Sequence, residues 1–184
     1  MTINISGKHI DIGESLSNHI HKGVEGIATK HFGEFTDAAV SVTKESHNFF
    51  TEIALHINKN FIVRASGEDS DAYRSFDLAC EKLEKRISKY KSRLRDRKRQ
   101  VDDEIPALQY IVNATEEDKG EDTPLIIAEM ASAVPTLSVG EAVMRMDLSE
   151  YPVLMFKNVK HGNLNVVYKR PDGHIGWIDP TIKG

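Results

Sequence analysis

The stretch from Lys82 to Arg99, KLEKRISKYKSRLRDRKR, holds ten of the chain's 24 Lys and Arg residues against only Glu84 and Asp96. Upstream and within it, apolar residues recur at Tyr73, Phe76, Ala79, Cys80, Leu83, Ile87, Tyr90 and Leu94, in steps of three and four. At ~100° per residue they fall within an arc of about 120°, which predicts a helix docked by one face. Lys82, Lys85, Arg86, Lys89 and Arg93 take the opposite side, and beyond Leu94 basic residues surround the axis. A solvated surface helix is the ordinary meaning of a charge run. Such faces, however, intersperse signs, because Glu-to-Lys pairs four apart stabilise a helix by a few tenths of a kcal/mol. A net charge of +8 over this stretch repels itself and points to a polyanionic partner. RNA or DNA fits better than a membrane surface, since no bulky Trp or Leu marks the polar boundary.

A docked helix needs a surface to cover, and the preceding residues supply one. Ala38, Val40 and Val42 alternate, as do Phe49, Thr51, Ile53, Leu55 and Ile57, and then Phe61, Val63 and Ala65. Hairpin-length turns, Glu45–Asn48 and Asn58–Asn60, separate these three strands. Ile3 and Ile5 mark a short first strand. Leu16, Ile20, Val24, Ile27 and His31 then keep helical spacing up to Gly33. The expected fold is α+β: β-α-β-β-β-α, with both helices on one face of an antiparallel sheet.

Composition narrows the class. The chain has 184 residues, 40% of them hydrophobic, enough for one or two small domains. It has no apolar run near the ~18 residues that would span a bilayer, and its N-terminus carries no export pattern. The single cysteine, Cys80, falls on the apolar stripe and reads as packing, in keeping with a reducing, cytoplasmic setting. The net charge of −4 conceals segregation. Residues 1–81 carry 7 basic and 12 acidic side chains, 82–99 carry 10 and 2, 100–123 carry 1 and 8, and 124–184 carry 6 and 6.

That acidic stretch, 100–123, lacks sustained periodicity and is expected to be a flexible linker, with a short ordered piece at Ile105–Val112. It divides residues 1–99 from a second unit, 124–184. There Leu125–Ala128 suits a strand, Ser138 and Glu141 form a capping box, and Val139, Ala142, Val143 and Met146 make a helical stripe. Val153–Phe156, Leu164–Tyr168 and Ile175–Ile178 follow as strands around Gly162 and Gly173 turns. A unit this small has a marginal core, and a homodimer sharing one core would complete it.

Catalytic and metal chemistry find little support. His19 and His21 lie two apart on a helix and diverge; no H-x-x-x-H, C-x-x-C, Walker or G-x-G-x-x-G motif occurs. No cofactor is expected. His47 and His56, with Lys59 nearby, are the residues a small ribonuclease would use, though isolated histidines in strands and turns are usually structural.

INISGKHIDI near the start, the sheet pattern and DAYRSFDLACEKLEKRISKYKSRLR together resemble the ribosome-binding domain of hibernation-promoting factors and the related ribosome-associated inhibitor. SVGEAVMRMDLSEYPVLMFKN and NLNVVYKRPDGHIGWIDP resemble the C-terminal domain of the family's long form. The resemblance implies a non-enzymatic translational silencer. Its first domain would bind the small ribosomal subunit of an intact ribosome over the messenger and transfer RNA sites. Its second would dimerise and pair idle ribosomes. On that basis Lys22, Lys82, Lys85, Arg86, Lys89, Lys91, Arg93 and Arg95 are the expected rRNA-binding residues. Val153, Phe156, Val166, Tyr168 and Trp177 are the expected dimer interface. A free-standing duplex-RNA-binding module and the ribonuclease remain as alternatives.

Overall fold

A computed structural model describes residues 2–33, 35–58, 61–90, 103–112 and 125–180. Its first sheet runs in the order β1-β2-β3-β4: β1 (Thr2–Lys8), β2 (Asp37–Glu45), β3 (Asn48–Asn58) and β4 (Phe61–Asp69). The helices α1 (Glu14–His31) and α2 (Ala72–Lys89) cover one face. The inward residues are those of the alternating runs: Val40, Val42, Ile53, Leu55, Val63 and Ala65 are all 0–1% exposed. Against them pack Ile20, Val24 and Ala28 of α1 and Phe76, Ala79, Leu83 and Ile87 of α2. The element order is that expected; one pairing is not. β2-β3-β4 is antiparallel, but β1 joins β2 in parallel, Ile3 opposite Ala38 and Ile5 opposite Val40. The 18-residue α1 is long enough to carry the chain back to the end where β1 began, so β2 runs the same way.

The second sheet, β5-β6-β7-β8-β9, comprises β5 (Glu104–Val112), β6 (Ile126–Leu137), β7 (Val153–Asn158), β8 (Leu164–Lys169) and β9 (Ile175–Ile178). Helix α3 (Val139–Leu148) covers part of one face. Its start is the expected capping box: Ser138 Oγ accepts from the Glu141 amide, and the Glu141 carboxylate accepts from the Ser138 amide at 2.8 Å. β6 is three times as long as the Leu125–Ala128 expectation. Its antiparallel partner β5 coincides with the ordered piece expected at Ile105–Val112 within the linker stretch and begins one residue earlier, at Glu104. Residues 100–102 and 113–124 lie outside the described residues. The core here is small: Leu137, Ala142, Met146, Phe156 and Val167.

Candidate nucleic-acid interface

α2 is seated by its backbone as much as by its side chains. Asp71 caps it, accepting from the Arg74 amide at 3.0 Å. Behind it, β4 carries Gly67 where any other residue would put a Cβ against the Ser75 carbonyl and 2.6 Å from the Ala79 amide nitrogen. Only a glycine lets strand and helix meet this closely. The Thr51 and Ser75 hydroxyls, both buried, hydrogen-bond at 2.7 Å across the same seam. Gly23 plays the matching part in α1, where an added Cβ would strike the Phe76 ring at 2.7 Å. Burial beside this stripe, with the negative charge of Asp77 and Glu84, pushes the Cys80 thiol up to about 12, so it stays protonated.

With the apolar stripe fixed inward, the cations face out, and they do so in two manners. Lys82 and Arg86 reach across to the free edge of β4, donating to the Ser66 carbonyl at 2.8 Å and the Arg64 carbonyl at 3.0 Å. They cap an edge strand that would otherwise offer unpaired carbonyls to another chain. Lys85 is exposed and pairs loosely with Glu81 one turn back, at 3.8 Å. Lys89 donates to Asp147 at 3.1 Å and lies 4.9 Å from the Tyr90 ring centre. Its hydrogen bond with Tyr90, and then that with Asp147, holds its pKa above the ordinary lysine value. Lys22 is exposed on α1. Lys91, Arg93 and Arg95 lie outside the described residues.

The expected dimer residues divide by sheet face. Register puts Leu154, Phe156, Asn165, Val167 and Trp177 on the α3 side. Phe156 is 0% exposed there, packed in the intrachain core with Leu137, Ala142, Met146 and Val167. Trp177 is 51% exposed but tethered, its indole N–H donating to Asn165 Oδ1 at 2.9 Å. Asn165 is also bonded by Asn158 and itself donates to Asp179, a buried amide network that locks β7, β8 and the end of β9 together. The opposite face carries Val153, Met155, Leu164, Val166, Tyr168 and Ile178. Val153, Met155 and Ile178 are 50%, 48% and 52% exposed. Val166 and Tyr168 are half-buried. Strand alternation from Val153 would have pointed to Met155, which the sequence expectation passed over. Nothing local marked Asp147 and Glu150, which face the end of α2 from the second half of the chain.

Fold and surface together define a two-sheet α+β protein whose first sheet carries a cationic helix and whose second leaves an apolar face open. The chain belongs to the family described as Sigma 54 modulation protein / S30EA ribosomal protein, which matches residues 3–95, with the same family's C-terminal region matching 121–176. A protein of Bradyrhizobium diazoefficiens named ribosome hibernation promotion factor is 37% identical, over 98% of this chain and 95% of its own. One of the same name from Rhizobium meliloti is 35% identical over 97% of both. Among solved structures, a ribosomal subunit interface protein from Coxiella burnetii aligns with 50% of this chain and 99% of its own, at 22% identity and a TM-score of 0.44. Among the described residues no helix is long and apolar enough to cross a membrane.

Proposed function

We propose that this chain is a ribosome hibernation factor rather than an enzyme. It binds small-subunit rRNA along the outer side of α2, over the messenger and transfer RNA sites, and silences translation. The observation that carries this is the row of cations on α2, in a chain matched along nearly its whole length by relatives named for ribosome hibernation. Phosphate contact needs charge at a fixed spacing and little base readout, and a rigid helix supplies that. Lys85 and Lys89 are the residues best placed, both being exposed on the outer side of the basic stretch of α2. The second sheet acts through Val153, Met155, Val166, Tyr168 and Ile178, which pair with the same face of another copy and so bring two ribosomes together. An exposed apolar face on a small core is the support for that half.

Binding of purified small ribosomal subunits, followed across a salt series, tests the first half. Lys85→Gln with Lys89→Gln removes about two phosphate contacts, so the slope of log affinity against log salt becomes shallower by roughly 1.5–2 units. An unchanged slope moves the interface away from α2. Equally tight binding to a free RNA duplex favours a general duplex-RNA module instead.

A further inference from the structure

Helix α3 is buried on two sides. Ala142 and Met146 face their own sheet, whereas Met144 and Leu148, both 0% exposed, join the apolar core of the N-terminal half. Polar contacts surround that apolar plug. The Tyr90 hydroxyl donates to Asp147 at 2.7 Å, beside the Lys89 contact on the same oxygen. Arg86 pairs with Glu150, the residue that ends α3 in the left-handed region at φ 57°. Ser149 Oγ donates to the Ile62 carbonyl of β4 at 2.6 Å, and the Arg64 guanidinium lies 5.6 Å from the Tyr151 ring centre. Asp147 and Glu150 therefore occupy the two cations at the end of the described part of α2.

We infer that α3 and the turn after it form an autoinhibitory clasp, in which the Asp147 and Glu150 carboxylates compete with RNA phosphates for Arg86 and Lys89. The inference rests on the rRNA-binding function proposed above and adds a regulation to it. The two parts of the clasp do different work. Partly exposed ion pairs are weak and exchange readily for other anions. The buried Met144 and Leu148 are not replaced by phosphate, and their exposure on opening sets a threshold. A short anion engaging Lys89 alone does not reach it; an extended polyanion running along α2 does. Opening then frees the C-terminal half only on a chain that has found its RNA, which couples docking to pairing.

The test uses the full chain and purified small ribosomal subunits. Asp147→Asn with Glu150→Gln removes the competing charges and keeps side-chain volume. Glu45→Gln with Glu129→Gln makes the same change in net charge at exposed positions away from α2. The first pair is expected to bind subunits about three- to tenfold more tightly than the unaltered chain, the worth of two partly exposed ion pairs. The second pair is expected to differ little. Fluorescent labels at Glu45→Cys and Lys160→Cys, in a Cys80→Ala background, report separation of the halves. They are expected to move apart when subunits are added to the unaltered chain, and to be apart already in a fraction of the Asp147/Glu150 variant. Equal affinities for all three proteins, or labels that do not move when subunits bind, overturn the clasp and leave rRNA binding standing. Binding of subunits by none of them removes the proposed function, and the competition with it.

Discussion

The two sheets of this protein are built from similar strands and end in opposite conditions. The first has two helices over one face, and its core runs from Leu16 to Tyr90 with only Met144 and Leu148 added from α3. The second has one ten-residue helix, which covers little more than Leu137, Phe156 and Val167. Val153, Met155, Leu164 and Ile178 on its far side, with Leu108, Tyr110 and Ile126 of the β5–β6 ribbon, remain exposed. Burying an aliphatic side chain is worth about 1.5–3 kcal/mol. The first half collects that many times over; the second leaves much of it uncollected. A half that is complete can be a rigid tool, and a half that is incomplete is disposed to assemble.

The hardest blow to the contrast is Phe156→Ala. It should cost about 3–5 kcal/mol, because the ring is the largest residue of a small core. Trp177 is the only tryptophan, so its emission reports this half, while the circular dichroism of α1 and α2 reports the other. The emission should shift to the red with most of the helical signal retained. Loss of both signals together would mean that the halves fold as one unit.

On the opposite face, Met155→Lys should leave Trp177 emission in place and break pairing. A charge at the centre of an apolar interface costs 2 kcal/mol or more, so the dimer should weaken roughly 30-fold or beyond in analytical ultracentrifugation. A variant that still sediments as the unaltered chain does would place the pairing surface elsewhere. In the first half, Gly67→Ala should cost about 1–3 kcal/mol in urea unfolding, since backbone cannot yield as a flexible side chain can.

The smallest effect is that of acid on the contact between halves. Burial acts to raise the Asp147 pKa, but the Tyr90 hydroxyl and Lys89 outweigh it and leave it below the usual 3.8. A lowered carboxylate pKa stabilises the contact at all pH values above the ordinary one. That contribution is lost as pH falls from about 4 through the lowered value. Label separation between the halves should therefore be level from neutral pH to about 4 and rise only below it, a rise that Asp147→Asn reduces.

Much of the fold was legible because periodicity is local. Alternation at Val40 and Val42 and the three-four spacing from Phe76 to Ile87 require no knowledge of distant residues, and both predict the observed faces. Strand direction is not local. Whether β1 lies parallel or antiparallel depends on how far α1 carries the chain, and the pattern of Ile3 and Ile5 is the same either way. β5 was legible only as a short ordered piece for a related reason: with no helix behind it among the described residues, its apolar residues face water on both sides and leave little alternation to find. The candidate site divides in the same way. That Lys82, Lys85, Arg86 and Lys89 lie off the apolar stripe follows from spacing alone. That Lys82 and Arg86 hold the β4 edge, or that Asp147 answers Lys89 from 58 residues away, follows only from the assembled molecule.

At Gly67 the helix rests on the strand with no layer of side chains between them. Packed side chains can shift among rotamers and let a helix slide or roll; two backbones in contact have no such slack. α2 is consequently a graduated rule rather than a cushion. Its cations stand at intervals set by the helix rise of ~1.5 Å per residue, with Lys82 and Lys89 about 10 Å apart along the axis. A partner made of repeating charges is measured against those graduations, and one of the wrong repeat finds a surface that does not bend to meet it.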